Sequence, residues 1–362
     1  MKVWHTESSL GWGGQENRTL LEMEYLRSQG IETAVVTPPG AHLAARARER
    51  GFAVHTVVMG RGLAVGSVLA LRRLFQEHRP THLNTHSSRD TLLAGLAARS
   101  LLRRPHIVRT RHLILPPTHP ATYTWLPDRV VTVSQAVADD LIARGVPATR
   151  IRVVPTGVDL QRFDPQRVTS QLRQELGLAP DTLLVGTLAI LRNKKGHRDL
   201  LAAIPQVLAR LPAVHFVIAG DGPQEEKLRT EAERLGISSH VHFLGLRRDV
   251  PEILSALDLF VLPTREEALG TAFLEAQAMG VPVIGTRVGG VPETLRENET
   301  GLLVPANDPA ALATALLDLL SQPEKRAAFA GAARPWVESR FSIERMGEAM
   351  LQVYRELQAG AP

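Results

Sequence analysis

LDLFVLPTREEALGTAFLEAQAMGVPVIGT, residues 257–286, reads as strand, loop, helix and strand. LDLFVL (257–262) and VPVIGT (281–286) are short apolar runs with the character of strands in a covered sheet. Between them, ALGTAFLEAQAMG starts a helix around Gly270-Thr271 and stops it at Gly280. Two strands joined through a helix form the crossover unit of a parallel sheet.

The alternation extends through the chain. VWHT (3–6), TAVVT (33–37), AVHTVV (53–58), HLNTH (82–86), HIVRT (106–110) and VVTV (130–133) are strand candidates in the first half. Helical stretches lie between them, among them QENRTLLEMEYLRSQ (15–29), stopped by Gly30, and DTLLAGLAARSLL (90–102). From about residue 170 the pattern restarts with LLVGTLAI (183–190), VHFVIAG (214–220) and HVHFLG (240–245), and Asp308-Pro309 opens a later helix. At 362 residues the chain exceeds what one core accommodates. The expected fold is α/β, with two doubly wound Rossmann-like domains facing each other across a cleft. The first covers 1–165 and the second 166–340, with a linker near VPTGVDLQRFDP (154–165).

Composition narrows the chemistry. A hydrophobic share of 44% with 22% charged residues is that of a soluble globular protein. No apolar run reaches the roughly 18 residues that span a bilayer, and MKVWHTESSL lacks signal-peptide features. The chain has no cysteine, which excludes disulfides, Cys-ligated zinc and thiol catalysis. A cytoplasmic location is expected. Residues 1–165 carry 21 Lys+Arg against 13 Asp+Glu, a net +8, whereas 166–362 carry 21 against 24, a net −3. A basic first half suits an anionic surface, although an arginine-rich composition accounts for it equally well. Arg72, Arg73, Arg99, Arg103 and Arg104 lie near apolar helix positions, so an anionic membrane surface enters as a candidate partner. Nucleic acid is not expected.

Open parallel sheets bind ligands beyond the carboxyl ends of their strands. In the first half, Gly13-Gly14 leads from a strand into a helix, where backbone amides can approach an anion. The third glycine of the dinucleotide fingerprint is missing, since Glu16 stands in its place. GRGLAVG (60–66) has the wrong glycine spacing and reads as a turn. His86 and His112 follow strands, whereas His5, His55, His82, His106 and His215 lie within strands and read as packing residues. In the second half, Arg192 and Lys195 follow a strand and suit a diphosphate, with a plain solvated loop as the alternative. Glu267 and Glu275 bracket the helix start at Gly270-Thr271. Its free amides can take phosphate, while Glu275 accepts from a ribose diol and Glu267 from sugar hydroxyls. Spacing alone leaves both open to being solvated acids favoured by the helix dipole.

Glu267-x7-Glu275 followed by AMGVPVIGTRVGGVPE resembles the signature of retaining family-4 glycosyltransferases of the GT-B fold. LPDRVVTVS (126–134), VVPTGVDLQRF (153–163), KKGH (194–197), GDGP (220–223) and FLGLRRDV (243–250) extend the resemblance over nearly the whole chain. It implies that Glu275 binds ribose, Glu267 holds the donor sugar, and Arg192 and Lys195 neutralise the diphosphate. Gly13 and Gly14 would lie on the phosphate, Leu246 near the base, and Leu269, Gly270 and Thr271 on the donor side. His112 would stand beside the reacting sugar carbon, and His86 on the acceptor side. FSIERMGEAMLQVYREL, within 341–362, would cross back onto the first domain. One departure is that Thr187, where many members carry arginine, follows Gly186, so Arg192 would supply that charge.

The expected function is retaining transfer from a nucleotide-sugar donor, a UDP-sugar first, to a cell-envelope saccharide or glycolipid acceptor. A nucleotide-sugar epimerase, a phosphorylase of like architecture and a non-catalytic nucleotide-sugar-binding subunit are the alternatives. No metal or other cofactor is expected, because no Asp-x-Asp occurs. The Glu-x-Glu pairs at 22/24, 231/233 and 297/299 read as solvated helix faces.

Overall fold

Seven strands form the first sheet: β1 (Lys2–Thr6), β2 (Glu32–Thr37), β3 (Ala53–Thr56), β4 (His82–Thr85), β5 (His106–Arg111), β6 (Arg129–Thr132) and β7 (Ile151–Val153). They pair in parallel in the order β3-β2-β1-β4-β5-β6-β7. A six-stranded parallel sheet follows, built from β8 (Leu184–Leu188), β9 (His215–Ala219), β10 (Val241–Gly245), β11 (Leu259–Leu262), β12 (Val283–Thr286) and β13 (Gly301–Val304). Its order is β10-β9-β8-β11-β12-β13. The chain winds outward from a central strand and then returns to its other side. This leaves switch points between β1 and β4 and between β8 and β11, where the loops diverge and a ligand fits. The computed structural model describes residues 1–60, 64–114 and 120–360. Residues 61–63 of GRGLAVG lie outside that range, and a helix begins at Val65.

The chain divides into one unit of Met1–Gly157 with the segment from Ile343 onward, and a second of Val158–Ser342. The expected boundaries at 165/166 and 340/341 therefore shift to 157/158 and 342/343. Hydrogen bonding explains the first shift. Val158 N donates to Phe341 O at 2.7 Å. Arg334 holds Phe163 O at 2.6 Å, Ala278 O at 2.7 Å and Leu160 O at 3.2 Å, tying 158–163 into the second unit.

Each unit has its own core. In the second, β11 is buried at all four positions, and Val185, Phe216, Val261 and Ile284 pack against Leu200, Ile204, Leu312 and Leu316. In the first, Val3, Val108 and Val131 meet Leu21 and Leu26 of the helix Gly14–Ser28 and Met350, Tyr354 and Leu357 of the helix Ile343–Gln358. Local signals fix the helix starts. Asp308 accepts from Ala311 N at 2.9 Å with Pro309 at the first helical position. Ser87 and Asp90 form a capping box on the helix Ser88–Arg99, with Asp90 Oδ1 accepting from Ser87 N at 2.7 Å.

Candidate active site

In the second unit the loops after β8 and β11 are laced together. Arg265 N donates to Lys194 O at 2.7 Å, and Thr264 Oγ1 to the same oxygen at 3.0 Å. Gly196 lies so close to Pro263 that a Cβ there would stand 1.8 Å from the Pro263 carbonyl oxygen. Only glycine permits that approach, at φ +71°. Two ion pairs cross the same junction: Lys194 to Glu266 at 3.2 Å, and Lys195 to Glu267. The latter sits at the switch point with both side chains mostly buried. Ala268 N donates to Glu267 Oε1 at 3.2 Å, which fixes the carboxylate.

Gly270, at φ +97°, caps the helix Thr271–Ala278 without a side-chain bond, and of the first three amides Phe273 N turns back to Gly270 O at 3.0 Å. Leu269 is buried behind it. Glu275 is in the second turn, and its carboxyl has no hydrogen-bond partner among the described residues. Burial pushes that carboxyl up to about 7, with Arg162 pulling it back. Arg192 is exposed with its guanidinium unbonded among the described residues, and lines a small pocket with Asn193, His197, Arg198, Gln224 and Leu228. His197 of KKGH is 2% exposed, and neither ring nitrogen has a partner among the described residues. Burial, reinforced by Lys195, pushes it down to about 4, so it is neutral. Leu246 stands 66% exposed just beyond β10, an apolar platform on the carboxyl side of the sheet.

In the first unit, Gly13 precedes the helix Gly14–Ser28, and both glycines are exposed. Beyond β1 lies Glu7, fully buried. Burial and the Asp90 carboxylate push it up to about 8, against bonds donated by Ser9 N and Gln15. His86 follows β4 and His112 follows β5, and Nδ1 of His86 lies 3.0 Å from Nε2 of His112. Burial holds His112 well below the usual imidazole range, with Arg18, Arg109 and Arg111 adding to it.

Three sequence readings change. His86 is 1% exposed and both its nitrogens are engaged, so it stands behind His112 rather than on an acceptor surface. His5 does more than pack, since its Nδ1 lies 3.0 Å from His86 Nε2. Glu22 is fully buried and accepts from Tyr354 OH at 2.5 Å, while Glu297 forms an isolated bridge with Gly301 and Glu299 lies in a turn, neither in a helix. Glu7 carried no signal, being one acid among serines before the glycines. Among the described residues no group of three or more His, Asp or Glu could hold a metal ion.

Two family models match the chain: Glycosyltransferase Family 4 over residues 12–162 and Glycosyl transferases group 1 over 168–336. It is 38% identical over 211 residues, 55% of each chain, to a GDP-mannose-dependent monoacylated alpha-(1-6)-phosphatidylinositol monomannoside mannosyltransferase of Corynebacterium glutamicum. It is 36% identical over 239 residues, 63% of this chain and 57% of the other, to a D-inositol 3-phosphate glycosyltransferase of Corynebacterium jeikeium. The chain thus spans little more than half the length of the curated relatives it matches. Among solved structures, Anabaena Alr3699/HepE in complex with UDP matches with a TM-score of 0.87 at 22% identity, over 98% of this chain and 100% of that one. A glycosyltransferase from Rickettsia africae matches with a TM-score of 0.89 at 20% identity, over 99% and 98%. These likenesses establish the fold, and with the two family models covering most of its length, the chain belongs to the family-4 and group 1 glycosyltransferases of the GT-B fold.

Proposed function

We propose that this protein transfers a glycosyl group from a nucleoside-diphosphate sugar to a hydroxyl of a cell-envelope glycan or glycolipid, with retention at the anomeric carbon. The Lys195–Glu267 pair at the β8/β11 switch point carries the reading. It joins a diphosphate-sized cation to a sugar-binding carboxylate, with the amides after Gly270 and the Glu275 carboxyl one helix turn onward. Arg192 adds a second cation, and Leu246 gives a nucleobase an apolar face.

In the reaction, the bond from the anomeric carbon to the phosphate oxygen breaks, and the acceptor oxygen bonds to that carbon on the same face. The acceptor proton passes to the departing phosphate oxygen. Lys195, Arg192 and the helix amides stabilise the charge that develops on the leaving diphosphate. No metal is required in this scheme.

The names of the curated relatives put GDP-mannose beside the UDP-sugars expected from the resemblance, with inositol-bearing acceptors. The net +8 of residues 1–165 supports an acceptor with an anionic head group at a membrane surface, which the protein meets peripherally from the cytoplasm. Among the described residues no helix is long and apolar enough to cross a membrane. The deciding experiment is a thermal-shift screen of UDP-, GDP- and ADP-sugars, because a ligand specific for the native state raises its melting temperature by mass action. One base should stabilise the protein at micromolar donor, and proton NMR of the transferred sugar should show the donor's anomeric configuration. Stabilisation by none of the donors, or an inverted product, would overturn the reading.

A further inference from the structure

β1, β4 and β5 are neighbours in the first sheet, and each contributes a histidine at or near its carboxyl end. His5 Nδ1 lies 3.0 Å from His86 Nε2, and His86 Nδ1 lies 3.0 Å from His112 Nε2. The His5 and His86 rings are nearly parallel, 6° apart, with centroids separated by 5.3 Å. At the inner end, His5 Nε2 faces Glu22 Oε1 at 3.9 Å. That oxygen also accepts from Tyr354 OH at 2.5 Å and from Asn84 Nδ2 at 3.2 Å, and Asn84 Oδ1 accepts from Thr110 Oγ1 at 2.8 Å. At the outer end, His112 Nδ1 has no partner among the described residues, and its ring is partly exposed.

Counting protons makes the chain informative. Each nitrogen pair at hydrogen-bond distance shares one proton. Three neutral imidazoles carry three protons, so two fill the contacts and one remains at an end. Only two neutral states exist, with that proton on His112 Nδ1 or on His5 Nε2. Burial holds all three rings below the usual imidazole range, and Arg18, Arg109 and Arg111 reinforce this, so a fourth proton is disfavoured. The choice between the two states falls to what faces His5 Nε2. The helix Gly14–Ser28 supplies both nearby charged side chains, Glu22 and the buried Arg18 one turn before it, and Glu22 Oε1 already acts as an acceptor to Tyr354 OH and Asn84 Nδ2. A carboxylate favours an N–H over a lone pair.

We propose that His5 is a positioning residue which, backed by Glu22, fixes the tautomer of His112 through His86, so that His112 presents a bare Nδ1 as a hydrogen-bond acceptor to a sugar hydroxyl. His86 then donates from Nε2 to His5, and His112 donates from Nε2 to His86. The identity of the hydroxyl rests on the glycosyltransferase reading, whereas the tautomer does not.

The test is ¹⁵N NMR of the histidine-labelled full chain at neutral pH, with His112 assigned by difference from His112→Gln. The expected spectrum has the His112 proton on Nε2 and Nδ1 at an unprotonated shift. Glu22→Gln should move the His112 population toward Nδ1–H. His5→Asn, whose amide oxygen can accept where Nδ1 did, should keep the native state, whereas His5→Phe should not. A wild-type His112 carrying its proton on Nδ1 would overturn the proposal, as would a spectrum unchanged in both Glu22→Gln and His5→Phe. Should His5→Phe fail to fold, the wild-type spectrum and Glu22→Gln still decide. Turnover gives a second readout: Glu22→Gln should lower kcat at least about tenfold with donor KM unchanged, as misorienting a working histidine does. Absence of transfer by the wild type with every sugar nucleotide would sink the glycosyltransferase reading alone, and the tautomer measurement would stand.

Discussion

Glu275 is raised from 4.5 to about 7 by burial, so it is half ionised at neutral pH. A ribose diol donates hydrogen bonds, and a carboxylate accepts them more strongly than a carboxylic acid does. Affinity for the intact donor, whose phosphates stay charged throughout, should fall about tenfold from pH 8 to pH 6, the ratio of ionised fractions for a group titrating near 7. Calorimetry would show this, and Glu275→Gln should abolish the slope; a slope surviving that change would remove Glu275 from the ribose. Stability has the opposite sign. The native state binds the extra proton between pH 4.5 and 7, so stability falls as pH rises through that window, and Glu275→Gln should flatten the fall. Lys195 raises a separate question, because it is already bonded to Glu267. Lys195→Ala should lower kcat by about 10²–10³, the scale of losing one preorganised charge at a developing oxyanion. Combined with Glu267→Gln, the loss should be less than additive, and the wild-type rate should be unchanged in excess EDTA. Activity that vanishes with EDTA and returns with Mg²⁺ or Mn²⁺ would overturn the metal-free scheme. The positions of Lys195, Glu267 and Glu275 are legible in sequence because each stands at a fixed offset from a strand end or helix start. His5 and Glu22 are not. A histidine inside a strand and a glutamate on an amphipathic helix read the same whether they pack, face water or share a proton.

Among the described residues, eleven of the thirteen strands can be read from short apolar runs, and the two that cannot are β7 and β13 at the outer edges of their sheets. Each has only three or four residues: IRV, with an arginine at its centre, and GLLV, directly after a turn. A short edge strand has too little apolar periodicity to stand out, and its existence depends on the neighbour it pairs with. The helix Ile343–Gln358 is the opposite case, with seven buried positions on one face. It packs against the helix Gly14–Ser28 at Gly347, where a Cβ would stand 2.1 Å from Cγ of Tyr25. Gly347→Ala trades a helix-propensity gain of up to about 1 kcal/mol against an overpacking cost of roughly 1–3 kcal/mol. We expect net destabilisation of about 1–2 kcal/mol in urea melts, relieved in the double variant with Tyr25→Ala. A melting point at or above wild type would show that Tyr25 swings aside at no cost.

Charge divides the whole molecule as sharply as structure does, with +8 on residues 1–165 and −3 on the remainder. Of the five arginines singled out for a membrane, Arg99 and Arg104 bond to Asp128 and Arg72 is half-buried and reaches Gln76, leaving Arg73 and Arg103 exposed with Leu102 fully exposed beside the latter. Each basic residue at an anionic surface contributes about 1 kcal/mol before screening. The protein should therefore float with anionic vesicles at low salt and release at high salt, more weakly after Arg103→Glu. Absence of salt-sensitive flotation would leave an acceptor met in solution. The first unit is built from two separated pieces of chain, with all of the second unit between them. During synthesis, then, the ribosome must deliver the second unit before the first can close. Until residues 343–358 emerge, Val3, Val108 and Val131 lack the Met350, Tyr354 and Leu357 that cover them. Glu22 lacks its Tyr354 donor, and His82 lacks the Tyr354 carbonyl its Nε2 bonds at 3.0 Å. A nascent chain stalled before residue 343 would carry a finished second unit and an unfinished first one, whose bare apolar face marks it for chaperones and proteases.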